Sequence, residues 1–168
     1  MNVIARALMA VYEEVTKPES YVKGDEFEAF VRDEVFPCTH YDIVQRTHSY
    51  TANRNDFIES SKQPDFRFRV CNTRKEFFVE AKYRSGFYNG AVDWCKPYQL
   101  RRYRDINEKD APVYIALGIG GEPCAPGHIF IIPVRKIQYT NLFRSFLSNY
   151  EICKPLPITY RDLCSVYK

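Results

Sequence analysis

The chain has 168 residues, 45% of them apolar and 27% charged, with a formal net charge of +3. That length and balance suit one domain with a real core, and the longest apolar runs fall well short of the roughly 20 residues of a membrane span. Six cysteines without a C-x-x-C pair or zinc-finger spacing exclude a structural zinc module, and they read as reduced thiols in a chain with no need of disulfide staples.

The first fifteen residues, "MNVIARALMAVYEEV", mix Arg6, Glu13 and Glu14 into the apolar pattern. That is not a signal-peptide shape, and the expected location is cytoplasmic. Residues 3 to 16 place Ile4, Leu8, Val11 and Val15 at helical spacing, and "PESYVKG" is expected to end that helix. A second helix is predicted over 24 to 35, with Phe27, Phe30, Val31 and Val35 on one side and Pro37 closing it. Residues 40 to 50 are β-branched and aromatic enough for a strand. Residues 51 to 63 read as loop.

"PDFRFRVCNTRKEFFVEAKYR" follows. Phe66, Phe68 and Val70 alternate with Arg67 and Arg69, "CNTRKE" has turn chemistry, and 76 to 84 is a second strand. Residues 65 to 84 therefore form an antiparallel hairpin. "SGFYNGAVDW" reads as loop, 95 to 108 as helix, and "APVYIALGIGG" and "HIFIIPV" as strands. "GIGGEPCAPG" is a loop between those strands, lacking the phosphate-loop pattern. A last helix is expected over about 140 to 149, and the tail from Cys153, with Pro155 and Pro157, is expected to pack irregularly or not at all. The order predicts an α/β domain over 1–168, a mixed sheet flanked by helices, with 1–22 as an N-terminal extension and 150–168 as a tail.

Within this frame the strand "FVEAKYR" is unusual. Residues i and i+2 of a strand share a face, so Glu80 and Lys82 lie together with Phe78. A charged pair on an otherwise apolar strand needs an offset: a plain ion pair, or a metal ion. Asp65 begins the partner strand, and carboxylates on adjacent strands can converge on one hard cation, which magnesium accepts with waters and a phosphate completing its shell. Lys82 would then orient or deprotonate a water, or counter charge in the transition state. From Lys62 to Arg104 there are eleven Lys/Arg against four Asp/Glu, a local +7, while the remainder carries −4. That is the expected footprint of a polyanion partner, or equally of a solvated basic face. On the following helix Gln99 and Tyr103 share a face, while Arg101, Arg102 and Arg104 lie on other sides, where phosphates could be met. Tyr83, Tyr88, Trp94 and Tyr98 fall nearby and could stack bases, although most aromatics should be core.

"KGDEFEAFVRDEVF", "PDFRFRV", "FVEAKYR", "YQLRRY" and "PVYIALGIGG", together about residues 23 to 134, resemble the PD-(D/E)XK nuclease superfamily. The resemblance implies a restriction-endonuclease-like αβββαβ core that cuts phosphodiester bonds, of DNA rather than RNA, with Mg²⁺, for which Mn²⁺ can substitute. By that likeness Asp65 and Glu80 are metal ligands and Lys82 is the catalytic lysine. Glu28 is the extra carboxylate from the first core helix, with Glu26 as the alternative. Gln99 and Tyr103 match the Q-x-x-x-Y element of the branch that includes recombinational-repair nucleases, supporting the site and contacting substrate. A homodimer is the hypothesis for cutting both strands. Two other readings stay open: a catalytically inactive nucleic-acid binder on the same fold, and a protein-interaction module using the aromatic surface.

Overall fold

The computed structural model describes residues 18–47, 62–153 and 155–167. The helix expected over 3 to 16, the end of the strand at 48 to 50 and nearly all of the polar loop lie outside the described residues.

Helix α1 spans Glu19–Phe30 and continues as a π-helical turn, Val31–Val35. It starts earlier than the predicted 24. "PESYVKG" opens this helix, because Pro18 sits at the N-cap, where a missing N–H costs nothing. Strand β1 (Tyr41–Arg46) pairs antiparallel with β2 (Phe66–Val70), and β2 with β3 (Glu76–Arg84), which is the predicted hairpin. A short strand β4 (Ala91–Asp93) and helix α2 (Pro97–Lys109) lead to β5 (Val113–Glu122), which lies parallel to β3. Strand β6 (Ala125–Pro133) returns antiparallel to β5. The glycine-rich segment is thus a tight hairpin with paired residues up to Glu122 and Ala125, made feasible by Gly120 and Gly121 at φ 68° and 67°.

The five-stranded sheet has the order β1-β2-β3-β5-β6. It is the mixed sheet flanked by helices that the sequence predicts, with the αβββαβ order in α1, β1, β2, β3, α2 and β5.

Alternation along the strands feeds two cores. Phe66, Phe68, Phe77 and Val79 pack under α1, through Phe27 and Val31. Phe78, Ile115, Leu117 and Ile132 pack under α2, through Leu100 and Tyr103.

Three expectations fail after residue 84. The loop expected at 85 to 94 contains β4. The helix expected over 140 to 149 is instead β7 (Asn141–Phe143), one turn of helix α3 (Arg144–Leu147) and a 3₁₀ turn, Ser148–Tyr150. Strands β4 and β7 pair with each other, Val92 opposite Leu142, and bury both side chains in the second core. The tail is also ordered: helix α4 (Tyr160–Tyr167) follows Ile158, and Ile158 and Leu163 are buried in the first core. The Tyr41 hydroxyl donates to the Ile158 carbonyl at 2.9 Å, so the two prolines precede a docked helix rather than a loose end.

Candidate active site

The β2–β3 register sets Phe66 opposite Val79 and Arg67 opposite Phe78. One step further, the same register brings Asp65 level with Glu80. Asp65 is held at both ends. Its carbonyl accepts the Thr47 N–H at 2.9 Å, and its Oδ2 accepts the Ala81 N–H at 2.8 Å.

Glu80 is 2% exposed and is the one buried charged residue among the described residues. Its Oε1 meets the Lys82 ammonium at 2.5 Å, so the ion-pair reading is realised. Its Oε2, however, is buried with no hydrogen-bond partner. Leaving a buried acceptor unmet costs about 1–3 kcal/mol, and more for a charged group. The Tyr103 hydroxyl, reaching down from α2, faces the same carboxylate.

The electrostatics follow from burial and crowding. Burial, then the Glu80 charge, push the Asp65 carboxyl well above the usual range, against the pull of Lys82. Burial alone would lower the Lys82 ammonium, but the Glu80 and Asp65 carboxylates outweigh it and hold the proton more firmly than in water. Tyr103 is raised by burial and by the same two carboxylates. Cys95 lies within their field too, and burial followed by Glu80 pushes its thiol up to about 12.

Of the two candidate glutamates on α1, it is Glu28 that faces β3. Glu26 is exposed on the outer side of α1, whereas Glu28 is half-buried, 4.0 Å from Arg46, and feels both Lys82 and Glu80. Burial and the neighbouring Asp25 push its carboxyl up to about 7. Glu28, Asp25, Gly24, Lys82 and Arg84 line a cleft of about 300 Å³ between α1 and β3. Among the described residues no three acidic, His or Cys side chains close into a ready-made metal cage. The donor set is thus the sparse kind, two opposed carboxylates with a third at the cleft wall, which suits an ion that keeps most of its own water. The orphaned Glu80 Oε2 and the shared burden of Asp65 and Glu80 on one ammonium fit a divalent cation between them.

The other predicted residues divide. Gln99 turns back on its own helix, its Oε1 accepting the Lys96 N–H at 2.9 Å as part of the N-terminal cap. Arg104 donates to the Ile137 carbonyl. Arg102 lies over the Tyr98 ring at 5.7 Å, and Arg101 is exposed. None of these four sits with the carboxylates. Trp94 is fully buried in the second core, while Tyr88 and Tyr98 are exposed.

Arg84 was absent from the predicted set. It follows Glu80 and Lys82 at the same two-residue spacing and so shares their face, which is the signal that could have found it. Its guanidinium donates to the carbonyls of Tyr83, Asp93 and Trp94, each at 2.8 Å.

No family model matches the chain, and no curated protein matches it. Among solved structures, Hjc from the archaeal hyperthermophile Archaeoglobus fulgidus, described as a Holliday junction resolvase, is similar over 85% of this chain and 96% of that chain, with a TM-score of 0.53 and 16% identity. At that identity the likeness is one of fold, a mixed α/β sheet flanked by helices.

Proposed function

We propose that the chain is a divalent-metal-dependent nuclease that hydrolyses phosphodiester bonds of DNA. The observation that carries the reading is the opposition of Asp65 and Glu80 across the hairpin, with Glu80 Oε2 buried and unpartnered. The fold likeness to a Holliday junction resolvase supports DNA as the substrate. Asp65 and Glu80 would hold Mg²⁺ or Mn²⁺, with Glu28 at the rim, and the bound ion would supply Lewis acidity toward a phosphoryl oxygen and a more acidic water.

The chain's own groups do the rest. Lys82 enters as an ammonium, held by Glu80, and can donate to a phosphoryl oxygen or fix the attacking water while offsetting developing negative charge. The Tyr103 hydroxyl, close to the Glu80 carboxylate, can donate to it. Arg101, exposed on α2, is available to the DNA backbone. Among the described residues no helix is long and apolar enough to cross a membrane. We take the protein as cytoplasmic and, for cutting both strands, as a homodimer, which sedimentation with and without DNA would check.

The test is incubation of plasmid DNA with Mg²⁺ or Mn²⁺. The wild type is expected to cut, and Asp65→Asn, Glu80→Gln and Lys82→Met each to lose at least about a hundredfold in rate. A wild type that binds DNA and never cuts it would instead make the protein an inactive binder on this fold.

A further inference from the structure

Aromatic side chains are exposed where the fold does not need them. Among the described residues Tyr88, Tyr139 and Phe143 are 82%, 71% and 61% exposed, and all three belong to the β4–β7 ribbon or its flanking turns. The inner side of the ribbon already meets its packing requirement, since Val92 and Leu142 face each other and are buried. On the outer side Phe143 lies opposite Ala91. Tyr88 folds back onto Ala91 through backbone bonds of 2.8 and 3.1 Å. Tyr139 precedes β7 by two residues, and its carbonyl accepts the Trp94 indole N–H at 3.3 Å. Exposed rings gathered on one element mark an interaction surface.

The charge around them narrows the partner. The ribbon and its immediate flanks, residues 85–96 before α2 and 134–144 through β7, hold four Lys/Arg and one acidic residue, Asp93. The Asp93 carboxylate is occupied, accepting from Asn141 Nδ2 at 2.8 Å. A partner chosen for apolar contact alone has no need of such an imbalance, whereas a polyanion with flat apolar rings needs both features. The ribbon is also fastened to the catalytic strand. Arg84 leaves β3 two residues beyond Lys82 and donates to the carbonyls of Asp93 and Trp94.

We propose that this ribbon binds single-stranded nucleic acid, stacking unpaired bases on Tyr88, Tyr139 and Phe143 beside the β3 cleft. The position next to a cutting site rests on the nuclease reading; the binding does not. The duplex would lie against the cleft, and a strand leaving it would cross the ribbon.

The test measures affinity for three labelled DNA probes with chelator present and salt fixed: a blunt duplex, the same duplex with a single-stranded overhang, and the single strand. The wild type is expected to bind the overhang probe more tightly than the blunt one. Tyr88→Ala, Tyr139→Ala and Phe143→Ala should each weaken overhang and single-strand binding about five- to hundredfold, leaving blunt binding unchanged. Phe143→Tyr should bind like the wild type. Alanine variants that bind the overhang normally would overturn the proposal, and would be the result if this face docks a protein. Equal losses on blunt duplex would overturn it too. If an alanine variant melts early, the leucine variant at that position keeps the bulk, removes the ring and carries the same expectation. Cleavage of the blunt duplex with Mg²⁺ is scored separately. Ring-dependent binding without cutting would sink the nuclease and leave the ribbon standing, and cutting with ring-independent binding would do the reverse.

Discussion

Glu28 carries a cost at the single-residue scale that pH can expose. Its folded carboxyl keeps a proton up to about 7, whereas an ordinary one releases it at 4.5. Between those values the folded chain binds more protons than the unfolded one, so stability is full below about 4.5 and is lost as pH rises through 7. At about 1.4 kcal/mol per pH unit the loss is roughly 3 kcal/mol. Asp65, raised for the same reason, adds in the same direction. Urea unfolding in chelator on either side of that window should show the fall, and Glu28→Gln should remove its own share and leave that of Asp65. A slope unchanged in Glu28→Gln would mean that the carboxyl is not strained as its burial implies. The choice between Glu26 and Glu28 could not be made from sequence, because both occupy one helical turn and only the packing of Phe27 into the core decides which neighbour faces β3.

Among the elements, α1 is seated by one close approach. Gly118 of β5 pairs with Tyr83 of β3, and a methyl group there would lie 2.8 Å from Cζ of the fully buried Phe27 ring. Gly118→Ala is expected to cost about 1–3 kcal/mol and to slow cutting by displacing the helix that presents Glu28. Phe27→Leu in the same chain should recover part of the stability, as thermal melts would show. The hairpin that sets the carboxylates was legible, because period-two alternation from Phe66 to Val70 and from Phe77 to Tyr83 fixes both faces and the register then follows. Strands β4 and β7 were not, since three residues carry no periodic signal and pair only through a partner about fifty positions away. Helix α4 was hidden behind Pro155 and Pro157, and what holds it, the Tyr41 hydroxyl and the first core, is remote in sequence.

For the whole molecule, the two cores are separate in composition and meet only through the sheet, so the site between α1 and α2 depends on both. A cation that binds the folded state alone should raise its stability by about 2.7 kcal/mol at a hundred times its dissociation constant. Melting with Mg²⁺ above neutral pH is expected to show this gain for the wild type and not for Asp65→Asn, and bound cation should also flatten the pH dependence, because ionised carboxylates then have a counter-charge. The basic segment from Lys62 to Arg104 was readable as a surplus, but not its use: Arg67 and Arg69 are taken up by Glu76, and Arg67 also by Asp110.

The chain has a single tryptophan, Trp94, and it stacks on Tyr103 with centroids 6.3 Å apart, one ring away from Glu80. Its emission is therefore an optical window on the site that needs no label. A buried indole of this kind fluoresces toward the blue and shifts to the red only when α2 and the ribbon part from the sheet. Occupation of the carboxylates, felt through the tyrosine, would alter its intensity without moving its colour, so one spectrum can separate a loaded site from a lost fold.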